Sequence, residues 1–65
     1  MSYPKLRGKI REKFGTQEAF AIAIGMSPAS MSAKLMGKTE WTRAEIEKAC
    51  ALLDIPMAEA HTYFF

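Results

Sequence analysis

Residues 16–38 read TQEAFAIAIGMSPASMSAKLMGK, and the reading of this stretch decides the fold. Thr16 is a good N-cap, so the spacing predicts a helix over Gln17–Ile24. At about 100° per residue, Phe20, Ala21 and Ile24 share one face of it, and Ile22 points nearly the opposite way. Gly25 closes that helix, Ser27 caps the next, and Pro28 suits its first position. Met31 and Leu35 make the inner face of the second helix, and Gly37 stops it. Counted from Gln17, Ala21 stands fifth, where a helix crossing close above demands a small residue. Gly25 stands ninth, where the sharp turn favours positive φ. Phe20, Ile24, Met26 and Met31 fill the apolar positions between. Together these offsets spell a helix, a tight turn and a second helix.

Toward the N-terminus, Pro4 opens a helix over residues 4–14 that Gly15 ends. Leu6, Ile10 and Phe14 recur at i, i+4 and i+8 as one apolar stripe, with Lys5, Arg7, Lys9, Arg11 and Lys13 on much of the remainder. Gly8 weakens this helix by roughly 1 kcal/mol relative to Ala, which a close approach of another element would explain. Toward the C-terminus, Lys38 to Trp41 form a loop, and Thr42 with Glu45 makes a capping box for a fourth helix. Its inner positions are Ile46, Ala49, Cys50 and Leu53. Asp54-Ile55-Pro56 breaks it, a short fifth helix follows from about Met57 to His61, and Tyr63-Phe64-Phe65 closes the sequence. No segment alternates with period two over a strand's length. The expected architecture is all-α: five short helices around one core, in a single domain over residues 1–65.

Sixty-five residues bury only about 60% of the surface of the unfolded chain, so stability must come from compact local packing or from a partner. The lone Cys50 excludes an internal disulfide, and Cys50 with His61 cannot build a structural zinc site. No metal and no cofactor are expected. No apolar run reaches membrane-spanning length and no signal-peptide pattern opens the chain, which predicts a cytoplasmic protein. The net charge of +2 hides a polarity. Residues 1–38 carry seven bases and two acids, and residues 39–65 carry two bases and five acids, so the halves stand at +5 and −3. That asymmetry suits a chain that presents one face to a polyanion.

From Gln17 to Lys38 the chain resembles the helix-turn-helix of the lambdoid phage repressor and Cro-like family, and the Gly37-Lys38 pair recurs in it. The full length, from Tyr3-Pro4-Lys5-Leu6-Arg7-Gly8-Lys9-Ile10 to the Tyr-Phe-Phe end, is similar to a small uncharacterised phage subgroup of that class. The resemblance implies a transcriptional regulator that occupies a double-stranded DNA operator, usually as a homodimer. Eighteenth in the motif, where the family usually places an aliphatic residue, this chain has Lys34. Positions matching Pro28, Ala29 and Ala33 commonly meet bases in the family. With Ser32 and Met36 they make a face without Arg, Gln or Asn, so strong bidentate base readout is absent. Gln17 is expected to hold a phosphate at the start of its helix, Ser27 and Ser30 to meet phosphate or base, and Lys34, Lys38 and Thr39 to flank the groove.

An enzyme is not expected. Cys50 faces the core, His61 lacks an acid at helical spacing, and Glu45 and Glu47 do not face each other on a helix. The competing reading is a protein-interaction module on the same scaffold, an antirepressor or accessory factor. It would use Ile22, Met57 and the Tyr63-Phe64-Phe65 tail. The same tail, or Ile22, is the candidate homodimer contact; otherwise the tail folds back on the first helix.

Overall fold

The computed structural model describes residues 2–65. It is all-helical, as the spacing predicts: α1 Pro4–Phe14, α2 Gln17–Ile24, α3 Pro28–Leu35, α4 Arg43–Leu53, a 3₁₀ turn Met57–Glu59 and α5 Ala60–Phe64. The molecule measures 28 × 22 × 22 Å.

The helix starts are set by local chemistry. Thr16 Oγ1 accepts the Ala19 N–H at 3.0 Å, and Ser27 Oγ accepts the Ser30 N–H at 3.1 Å. At Thr42 the capping box closes both ways: Glu45 N–H donates to Thr42 Oγ1 at 3.2 Å and Thr42 N–H to Glu45 Oε1 at 2.8 Å. Each satisfies backbone donors that a helix start leaves without partners, typically about 1 kcal/mol per cap.

Three helix ends share one device. After α2, Met26 N–H reaches back to Ala21 O and Gly25 N–H to Ile22 O, with Gly25 at φ +84°. After α3, Lys38 N–H reaches Ala33 O and Gly37 N–H reaches Lys34 O, with Gly37 at φ +80°. After α4, Ile55 N–H reaches Cys50 O while Asp54 takes the left-handed conformation at φ 56°. This is the Schellman reversal, in which one left-handed residue turns the chain and satisfies the last carbonyls. α3 therefore ends at Leu35, two residues before the glycine that turns it.

The core is one cluster, drawn from the expected stripes. Leu6 and Ile10 of α1, Phe20, Ala21 and Ile24 of α2, Met31 and Leu35 of α3, and Ile46, Ala49, Cys50 and Leu53 of α4 are all buried. Phe14 packs beside Phe20 with ring centroids 5.3 Å apart. Two expectations are corrected. Gly8 has no packing reason, because a methyl group there meets nothing within 4 Å. The last helix runs to Phe64 rather than to His61. Ala60 and Phe64, one turn apart, are both buried, and that contact draws the end of the chain into helical form. Arg7, read as one of several surface bases, ties two elements together. Its Nε donates to Ser2 O at 2.8 Å and its Nη2 to Leu35 O at 2.7 Å, so it satisfies a carbonyl at the end of α3.

Candidate functional site

Two surfaces compete for the role. The first is the outer side of α3. Ser27, Pro28, Ala29, Ser30, Met36, Lys38 and Thr39 are exposed, while Gln17, Ser32 and Ala33 are half-buried. Ala29, Ser30, Ala33 and Thr39 line one shallow cleft of about 500 Å³ with Met26, Lys34 and Glu45. The serine hydroxyls here have partners within the face. Ser27 Oγ donates to Ser30 Oγ at 3.1 Å, and Ser32 Oγ donates to Met36 Sδ at 3.8 Å. The face is thus small and largely apolar, with Lys38 at its edge in no ion pair or side-chain hydrogen bond among those described.

Lys34 does not take the groove-flanking position expected of it. It is 9% exposed. Its Nζ pairs with Glu45 Oε1 at 2.8 Å, donates to Glu40 O at 2.8 Å and stands 5.7 Å from the Trp41 ring centroid. An ammonium buried against a carboxylate and a carbonyl is held by both, so it is not available to a phosphate. Leu35 takes the inner contact beside it, so Lys34 and Leu35 are both turned inward. The Lys34 ammonium, then the Thr42 N–H, hold the Glu45 carboxyl below the usual carboxylate range. That places an ionised acid in the cleft beside α3, which opposes an approaching phosphate.

The +5/−3 polarity of the sequence is partly cancelled in the fold. Lys34–Glu45 and Lys13–Asp54 pair a base of the first half with an acid of the second, the latter at 3.1 Å. Lys9–Glu12 and Arg43–Glu47 pair within their own helices. Exposed pairs like these last contribute little, about 0–1 kcal/mol each.

The second surface is the aromatic end. Phe64 folds inward and meets Trp41 edge-on, with centroids 5.1 Å apart and planes at 75°. Phe65, the next residue, is 91% exposed, and Met57 is 49% exposed. The tail therefore divides: one ring goes to the core and the next projects. Clefts open on both sides of Phe65. One, of about 250 Å³, is lined by Tyr3, Glu40, Trp41, Ile46 and Phe64. Another, of about 350 Å³, is lined by Trp41, Arg43, Ile46, Met57 and Ala60. A third, of about 500 Å³, runs to the start of α1 past Lys5, Thr62 and Tyr63. Trp41 Nε1–H is shielded from solvent yet has no hydrogen-bond partner. Burying such a donor unpaired costs about 1–3 kcal/mol, so a ring that satisfied it, or a Phe, would serve stability better.

Ile22, the remaining interaction candidate, is 75% exposed on α2 and lines none of the three aromatic clefts. Burial pushes the Cys50 thiol up, away from the thiolate that nucleophilic chemistry needs. Among the described residues no three of His, Cys, Asp and Glu come together as metal ligands, and no helix is long and apolar enough to cross a membrane. Sequence reasoning named Met57 and Phe65 but missed Trp41 as their centre. A tryptophan one residue before a helix cap, in a short chain with an aromatic tail, was the available signal.

Comparison with known proteins bears on the choice. A family model described as "Protein of unknown function (DUF739)" matches residues 1–65. No curated protein gives a match. Among solved structures, the chain is similar to the solution structure of the modulator of repression (MOR) of the temperate bacteriophage TP901-1 from Lactococcus lactis. The two share 45% identity and superpose with a TM-score of 0.89, over 98% of this chain and 86% of that one.

Proposed function

We propose, given that the chain belongs to the family described as "Protein of unknown function (DUF739)", that it is a small phage regulator working through a protein partner, the repressor of its own phage. The full-length likeness to a modulator of repression supports a regulatory role outside enzyme chemistry. The observation that carries the choice of surface is the exposed Phe65, 91% accessible beside Met57 and the clefts around Trp41. A large aromatic held in water at the edge of an apolar hollow is the anchor-and-pocket arrangement that supplies most of the binding energy in protein interfaces. Phe65 and Met57 would insert into the partner, and the partner would fill the clefts over Trp41. Arg43, at the rim, would set orientation more than affinity.

Isothermal titration of the chain against the purified repressor encoded beside its gene tests this. Saturable binding that Phe65→Ala weakens by at least tenfold supports it. No binding by the wild-type chain removes it.

A second reading keeps the α2–α3 pair as a helix-turn-helix on an operator, of the Cro-like kind. One observation favours it: Ser27, Pro28, Ala29 and Ser30 stand exposed at the start of α3, where a recognition helix meets base edges, with Lys38 beyond its end. Gln17, Ser32, Ala33, Met36 and Thr39 would complete that contact. A gel shift on the DNA flanking its gene decides it. Tighter binding than to random duplex at low salt would establish it.

A further inference from the structure

Lys34 links the two surfaces through Trp41. It lines the cleft beside α3 and its ammonium lies toward the ring that lines the clefts around Phe65. A lysine is an expensive choice for a site 9% exposed, because taking an ammonium out of water costs more than burying an apolar side chain of the same length. A methionine there would fill the space with no charge to satisfy. The ammonium is nonetheless fully held. Glu45 Oε1 and Glu40 O each stand 2.8 Å from Nζ, and the Trp41 centroid stands 5.7 Å away. Glu40 directly precedes Trp41, and Glu45 stands in the first turn of α4, next to Ile46 that lines the same clefts. The indole itself makes no hydrogen bond that could fix its orientation. Packed against the core, it meets the Phe64 ring edge-on and has the Lys34 ammonium 5.7 Å from its centroid. A cation over an indole face is the strongest form of this attraction, and it gains when desolvated.

We infer that Lys34 is a positioning residue for the docking surface: clamped by Glu45 and the Glu40 carbonyl, it holds the Trp41 ring in the orientation that keeps the clefts around Phe65 open to a partner. This rests on the protein-partner reading above. Lys34 does not touch the partner. It acts through Trp41, and it makes the sequence between α3 and α4 part of the interface without exposing it.

The chain has one tryptophan, so its fluorescence reports Trp41 alone. Three variants decide the matter: K34M, K34R and E45Q. Each is measured in two ways, by acrylamide quenching of the free protein and by titration with the repressor encoded beside the gene. K34M is expected to keep its helical circular dichroism, to raise the quenching constant of Trp41 and to weaken repressor binding about tenfold, as when a preorganised anchor is released. K34R, whose guanidinium stacks on the ring, is expected to restore both readouts most of the way. A purely structural role would instead lower the melting temperature and leave quenching of the folded fraction unchanged. Unchanged quenching and unchanged affinity in folded K34M overturn the inference. Where K34M fails to fold, E45Q decides: it removes one clamp and keeps the ammonium, so raised quenching supports the inference and wild-type quenching overturns it. A wild-type chain that does not bind the repressor removes the docking reading, while quenching in K34M against K34R still judges whether Lys34 orients Trp41.

Discussion

The α3 face and the aromatic end are both open to solvent, but they are finished differently. On α3 the hydroxyls of Ser27, Ser30 and Ser32 have partners within the face, Lys34 is turned inward, and Pro28, Ala29, Met36, Lys38 and Thr39 remain outside. At the aromatic end a whole phenyl ring stands in water and an indole N–H goes without a partner. A surface that holds a whole aromatic ring in water has free energy to release on contact. The difference teaches that the residues building the α2–α3 pair and the residues available to bind are separate sets. Ala21, Gly25 and Met31 make the scaffold, and they say nothing of what the surface beyond it recognises.

The comparison is open to direct attack. Its largest expected consequence is that Phe65→Ala lowers repressor affinity by about tenfold or more while Ala33→Ser leaves it within about twofold, read by calorimetry. The reverse ordering would make α3 the working face. Next, Trp41→Phe should weaken the same binding severalfold without lowering the unfolding free energy, because the unpaired buried indole N–H leaves with the ring. A large stability loss on chemical denaturation would return Trp41 to the core. Third comes acid sensitivity. The folded-state pKa of Glu45 lies below its ordinary value, so its contribution is fully present above the unfolded pKa and is lost as pH falls through the folded one. Melting temperatures of Glu45→Gln against wild type should therefore separate above the ordinary glutamate range and converge as pH falls below it. The smallest effect belongs to Lys38→Ala. It should leave repressor binding unchanged, and flatten the salt dependence of any DNA binding by about one unit.

How far the fold could be read from the chain depended on range. Thr16, Ser27, Thr42, Pro4 and the turn glycines act within four residues, and the first four helices begin where those residues place them. The final helix ran past the expected His61 because Phe64, buried one turn beyond Ala60, packs on Trp41, 23 positions away. Lys34 was misplaced for the same cause. Position eighteen of the motif asked for an aliphatic side chain, and only the fold reveals that Glu45 and Trp41 stand ready to receive a charged one. Arg7 looked like one more surface base until the end of α3 was placed beside it. Charge counted by halves misled in turn, since Lys34–Glu45 and Lys13–Asp54 close across the division. The site was legible only in outline: Met57 and Phe65 could be suspected from exposure of apolar residues near the end, but their shared neighbour could not.

The repeated reversal at Gly25, Gly37 and Asp54 has a kinetic consequence. Each helix is closed by hydrogen bonds to its own last turn, so α2, α3 and α4 are each terminated without waiting for a distant segment. Chains dominated by such local contacts fold in roughly microseconds to milliseconds. Ribosomes add about 5–20 residues each second, so this chain takes shape in less time than one more residue takes to be added. The interval between translation and action is then set by diffusion to a target and not by folding.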